Sequence, residues 1–167
     1  MNYEMKSISW EEGAATAATD DCLVVSQDAN GKNNIITIGW KTIGVLWSKP
    51  VITIAVRPDR FSHSVIENGV KEFTINFGGT IEDHLSFCGT KSGRDVDKWA
   101  KTGLEPVKCK KIKVPIVKGA ALSYACKIIH KADSGQITPH TLYFGEIIES
   151  YRDRKSTRLN SSHRIRS

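Results

Sequence analysis

No apolar stretch in this chain comes near the roughly 18 to 20 residues that a membrane-spanning helix needs. Met1 to Trp10 lacks the apolar core of a secretory signal. Both absences point to a soluble protein of the cytoplasm. The four cysteines (Cys22, Cys88, Cys109, Cys126) stand singly, with no Cys-x-x-Cys pair and no zinc-ligand spacing. No metal site is expected, and the thiols read as reduced. No Gly-x-Gly-x-x-Gly opens a βαβ unit, so a nicotinamide would bind only transiently and not in a Rossmann domain. There is no Gly-x-Ser-x-Gly, the five histidines are dispersed, and no carboxylate pair is set up for glycoside chemistry. Acid–base hydrolysis therefore has no obvious machinery here.

Net positive charge is also scarce outside one segment. The chain carries a net +6, but residues 152–167 hold six Lys/Arg against one acid, a net of +5, which leaves +1 for residues 1–151. That tail has no aromatic residue and no apolar periodicity. It reads as a vector-derived extension or a natural disordered tail, and residues 1–151 as the folded domain. The domain gives no electrostatic case for nucleic acid, and nothing suggests a membrane partner.

What is present is a mainly β pattern. At 167 residues with 40% hydrophobic and 8% aromatic content, the chain suits one domain with a real core. The central stretch runs from Asn33 to Asn68. It reads as a strand over 33–40, a Gly-containing link (Thr42, Ile43, Gly44), a β-branched strand over 51–56, a turn (Arg57-Pro58-Asp59-Arg60), and a helix over 62–68 with Ser62 as its N-cap. Before it, Asp21–Ser26 reads as a strand and Asp28–Gly31 as a hairpin turn, with Asn30-Gly31 supplying positive φ. After it, Phe73, Ile75 and Phe77 share one face of a strand over 72–77, with Asn76 on the other. Thr80 reads as the cap of a helix ending near Cys88-Gly89. A helix over 95–101 is anchored by Trp99. Residues 107–114 read as a lysine-rich edge strand, 120–130 as a long strand, and 141–148 as the closing strand. Many short strands with two or three helices predict an all-β barrel with peripheral helices.

The ends of the two central strands gather small hydroxyls, glycines, Arg57 and Arg60. They could hold a phosphate or could be turns with solvated charges. Lys91, Ser92 and Arg94 lie in a donor-rich loop that reads equally as a solvated surface loop. Trp40 could wall a ligand or pack in the core. Cys22 and Cys126 read as core. Cys88, next to Gly89, is either a reactive thiol or a small filler.

Asn33-x-Ile35-x-Thr37-x-Gly39-Trp40, Lys49-Pro50-Val51, Arg57-Pro58-x-Arg60-x-Ser62, Phe73-x-Ile75-Asn76 and Cys88-Gly89-x-x-Ser92-Gly93-Arg94-Asp95-x-Asp97-Lys98-Trp99 together resemble the flavin reductase-like family of split barrels, over roughly residues 21–151. The flavoredoxin-type branch is the nearest in pattern. The resemblance implies an FMN-binding split β-barrel with peripheral α-helices. It puts Thr37, Ile38, Gly39 and Trp40 against the flavin ring and ribityl chain, Arg60 and Ser62 at the phosphate, Asn76 near the flavin, and Lys91, Ser92 and Arg94 in a loop closing over it. It puts His140 beside the ring as the catalytic candidate, although Thr138-Pro139 precedes it where the family has Gly-Asp. It also implies a homodimer and NADH or NADPH as transient donor. FMN is expected rather than FAD, since nothing suggests a second pocket for an adenine. Three functions follow: an NAD(P)H-dependent flavin reductase, a flavoredoxin-type carrier with a protein redox partner, or a barrel that only binds.

Overall fold

The computed structural model describes residues 3–155. Most of the basic tail, from residue 156 on, lies outside the described residues, and the reading of its origin with it. Among the described residues, ten strands and four α-helices occur in the order β1 (Met5–Ser7), α1 (Ala14–Thr19), β2 (Cys22–Gln27), β3 (Asn33–Ile38), β4 (Lys41–Leu46), β5 (Lys49–Val56), α2 (Phe61–Asn68), β6 (Glu72–Phe77), α3 (Leu85–Thr90), α4 (Lys98–Thr102), β7 (Pro106–Val107), β8 (Ile116–Val117), β9 (Leu122–Asp133) and β10 (Thr141–Asp153). Short 3-10 turns precede α1 and α3. No helix among the described residues is long and apolar enough to cross a membrane.

One antiparallel sheet runs β3-β2-β6-β9-β10-β5-β4, with β1 added to the far end of β10. The period-two alternation sorts its side chains into two apolar clusters. Val24, Ile36, Ile54, Phe73, Ile75, Phe77, Tyr124 and Cys126 belong to one. Leu23, Val25, Ile35 and Ala125, on the opposite face, join Ile81, Cys88, Ile112, Val114 and Ile116 in the other. This second layer explains why β2 reads Cys-Leu-Val-Val without alternation: both its faces are covered. The expected β-barrel architecture with peripheral helices is what forms.

β3 and β4 follow each other in sequence yet sit at opposite ends of the strand order. The sheet curls until β3 comes against β5, and a bond from Ala55 N–H to Trp40 O (3.2 Å) extends the β4–β5 pairing by one residue into the link after β3. No ladder runs along this seam, and the seam becomes the cleft described below.

Several local expectations need correction. Thr42–Gly44 is not a link but the middle of β4, which pairs with β5 from Lys41↔Ile54 to Leu46↔Lys49. The β4–β5 turn is Trp47-Ser48, with φ of 56° and 59°, a hairpin conformation that Asn-Gly would normally signal. In the β2–β3 turn only Gly31 has positive φ (86°), while the Asp28 carboxylate binds the N–H groups of Asn30 and Lys32. Ser62 is not a cap: Arg60 is the N-cap residue of α2, without a side-chain cap bond. Thr80 does not cap either; Gly78 holds that position. α4 starts at Lys98, with the Asp97 carboxylate accepting from Trp99 and Ala100 N–H. Residues 108–114 form no strand. Their backbone N–H groups instead bind carboxylates, Lys111 to Glu149 (2.9 Å) and Lys113 to Glu72 (2.8 Å), while Cys109, Ile112 and Val114 plug the outer core.

Candidate functional site

The seam opens into a cleft of about 200 Å³. One side is the end of β3 and the link after it: Ile36, Thr37, Ile38, Gly39 and Trp40. The other is the end of β5 and its turn: Ala55, Val56, Arg57 and Arg60. His140 closes the rim. Trp40 is 60% exposed, and its ring lies 4.7 Å from the His140 ring, tilted by 41°. The cleft thus joins an apolar floor and a flat aromatic wall to two guanidinium groups.

His140 carries the clearest mark of a site. Its Nδ1 is buried with no hydrogen-bond partner, a condition that native interiors avoid. Burial first, and the charge of Arg57 second, hold its pKa below the ordinary imidazole value, so the ring is neutral at pH 7. Arg57 pairs with Asp59 at 3.1 Å, both groups being largely solvated, so this pair adds little stability. Arg60 turns inward and donates from Nη2 to the Gly89 carbonyl (3.0 Å).

Helix α3 underlies the cleft from its first residue to its last turn. The Thr37 hydroxyl donates to Leu85 O (2.5 Å). A Cβ on Gly89 would stand 3.1 Å from Thr37 Cβ, so a side chain there would press on the cleft wall. Lys98, only 4% exposed, donates from Nζ to both Ile35 O and Cys88 O, each at 2.8 Å.

Comparison with known proteins agrees with this architecture. The flavin reductase like domain matches residues 15–164. The chain belongs to that family. A relative from Archaeoglobus fulgidus, itself uncharacterized, is 31% identical over 119 residues, 70% of this chain and 64% of its own length. The chain therefore matches less than two thirds of that relative. Flavoredoxin of Desulfovibrio vulgaris (Miyazaki F) superposes with a TM-score of 0.73 at 26% identity, covering 84% of this chain and 73% of the flavoredoxin. An FMN-binding domain of a flavin reductases-like enzyme from Shewanella baltica gives 0.76 at 18% identity, covering 92% and 79%; at that identity it speaks for the fold alone. Split-barrel architecture and a flavin reductase like domain follow.

Of the residues that the family resemblance singled out, Thr37, Ile38, Gly39, Trp40, Arg60 and His140 line one cleft. Ser62 sits behind it, 2% exposed, its hydroxyl accepting from Asn34 Nδ2 at 2.6 Å. Lys91, Ser92 and Arg94 do not line the cleft. Ser92 Oγ accepts from Arg94 N–H (3.1 Å), and the Arg94 guanidinium lies 5.5 Å from the Phe61 ring, over an adjoining cavity of about 200 Å³.

Asn76 is a correction. It is fully buried, and its amide is spent inside the protein. Nδ2 donates to Leu23 O (3.1 Å) and Thr74 Oγ1 (3.2 Å), while Oδ1 accepts from Val117 N–H (3.0 Å) and Ser123 Oγ (2.7 Å). Register places Leu23 between Asn76 and Thr37; two strand spacings put Asn76 about 10 Å from Thr37. No atom of the side chain remains for a ligand. Cys88, the thiol singled out for reactivity, is 0% exposed, and burial raises its pKa, so it reads as core.

Sequence reasoning missed Lys98. It lay inside a quoted motif, but a lysine after a helix cap reads as solvated, and nothing in the sequence marks the two carbonyls that receive it.

The residues present fit a flavin mononucleotide. Trp40 offers an aromatic face, His140 an unpartnered polar atom, Arg60 a cation, and α2 an N-terminus whose free N–H groups no side chain caps.

Proposed function

We propose that this chain binds FMN in the seam cleft and acts as a flavin-dependent oxidoreductase that takes electrons from NADH or NADPH and passes them to a free flavin or another acceptor. The observation that carries the reading is the convergence of an exposed tryptophan face, an inward arginine at an uncapped helix start and an unpartnered buried imidazole nitrogen in one cleft. When bound, the flavin supplies the two-electron chemistry, which belongs to the cofactor. Trp40 and Ile38 pack one ring face. Gly39 lets main chain approach the ring edge. Arg60 and the first N–H groups of α2 hold the phosphate. Neutral His140 meets the ring edge or the donor through its free Nδ1.

The active form is a homodimer. Sites that bury a ligand usually enclose roughly 300–1,000 Å³; this cleft offers about 200 Å³ and needs a second wall. Val45 (68%), Leu46 (40%) and Trp47 (51%) are exposed on and beside β4, an edge strand that continues from Trp40. A second copy covering that edge shields them and the cleft together. Four free, buried cysteines suit a reducing compartment, the cytoplasm.

The likeness to flavoredoxin, at 26% identity, favours a second reading: an electron carrier that exchanges electrons with a protein partner. The test is anaerobic mixing of the FMN-loaded protein with NADH or NADPH while following visible absorbance. Rapid bleaching supports the reductase. No bleaching with either, in a protein that holds FMN, supports the carrier. A protein that takes up no FMN at micromolar concentration overturns both.

A further inference from the structure

Lys98 is the one described lysine whose residue is buried, at 4% exposure. A buried ammonium must be fully engaged or it is costly. Here it spans two elements: its Nζ reaches Ile35 O in β3 and Cys88 O near the end of α3, both at 2.8 Å. The next carbonyl along, Gly89 O, is taken by Arg60 Nη2 at 3.0 Å. Helix-end carbonyls lack intrahelical partners and attract cations. Two adjacent carbonyls of one helix end are thus shared out between two cations, and the second of those cations lines the cleft.

We propose that Lys98 is a positioning residue: by occupying the Cys88 carbonyl it restricts Arg60 to the Gly89 carbonyl and so sets how much of the guanidinium faces the cleft. Arginine has five N–H donors in a rigid fork. With Cys88 O vacated, that fork can take both carbonyls and turn its remaining donors away from a phosphate. The two cations lie close enough for the charge of Arg60 to help depress the pKa of Lys98, after the larger effect of burial, to about 8. The same lysine holds β3 at Ile35, two residues before Thr37, so the clamp also braces the cleft wall. The proposal rests on Arg60 serving the phosphate.

The test compares the dissociation constants of riboflavin and FMN by fluorescence quenching; their ratio isolates what the phosphate contributes. Lys98→Met lowers that ratio about fivefold, Lys98→Arg restores it to within about twofold, and Lys98→Met added to Arg60→Ala changes the ratio no further, as coupling through one residue requires. Thermal unfolding of each apo variant reports stability separately. Should Lys98→Met not fold, Lys98→Gln is read in the same way. If the variant unfolds at lower temperature yet keeps the wild-type ratio, Lys98 is structural glue and the proposal fails. If the wild-type ratio is itself near one, the phosphate role of Arg60 fails first.

Discussion

Two polar sites sit almost side by side in this barrel, and they are opposites. Around Asn76 every polar atom of the amide is answered from β2, β6, β8 and β9. In the seam cleft, His140 Nδ1 is buried and unanswered, and the start of α2 is uncapped. A closed polar network pins structure; an open one costs stability and is kept where something else will complete it. The ladder explains which is which. Asn76 lies where β2, β6 and β9 pair residue for residue, whereas the cleft lies where β3 and β5 meet without a ladder.

The contrast is sharpest under mutation. Asn76→Leu strands Val117 N–H and the Ser123 hydroxyl, and costs about 3 kcal/mol or more, since each buried unmatched group costs about 1–3 kcal/mol. Chemical denaturation measures it, and FMN affinity of the folded fraction stays unchanged. A loss well under 1 kcal/mol, or a selective loss of FMN, would put Asn76 back among the ligand contacts. Arg60→Ala does the reverse. It weakens FMN roughly 10- to 100-fold, in line with a charge-assisted contact of about 1.5–3 kcal/mol, and riboflavin by about twofold at most.

A smaller effect separates the two sites by pH. Lys98 has its folded pKa depressed from 10.5 to about 8. Between those values the unfolded chain holds the proton and the folded one does not, so stability from this group rises with pH across that window. Urea midpoints of wild type relative to Lys98→Met rise from pH 8 toward pH 10; a flat difference contradicts a buried ammonium. His140 works at the acid end. Its pKa is depressed, so its contribution is fully present above the ordinary imidazole value and is lost as pH falls through the folded pKa. Histidine proton NMR places its midpoint below 6.5, and FMN occupancy shifts it because the ligand meets Nδ1. The smallest expected signal is at the thiols. All four are buried, so a disulfide reagent labels none within minutes until denaturant is added; fast labelling of Cys88 alone would move it into the site.

Much of this was legible in sequence because it is local. β-Branched runs made β3 and β5, alternation made β9, and the Phe73-Ile75-Phe77 alternation named its own core face. The strand-end residues of the cleft were legible for the same reason: Thr37 to Trp40 and Arg60 lie where two readable strands stop. β4 was not, because a half-exposed edge strand with Gly44 in it carries no alternation. Residues 108–114 imitated a strand because apolar plugs alternate with lysines there, and their backbone partners are carboxylates over 30 residues away. Asn76 misled because polarity opposite a core face looks the same whether solvent, ligand or a second layer covers it.

By itself the sequence determined which segments extend and where they turn, since these depend on neighbours one to four residues apart, and its ordered set of motifs carried the resemblance to the split barrels. Tertiary structure alone decided which polar groups are left over. Whether an asparagine, a lysine or a histidine is satisfied depends on carbonyls and amides brought to it from distant strands, and no local pattern encodes them.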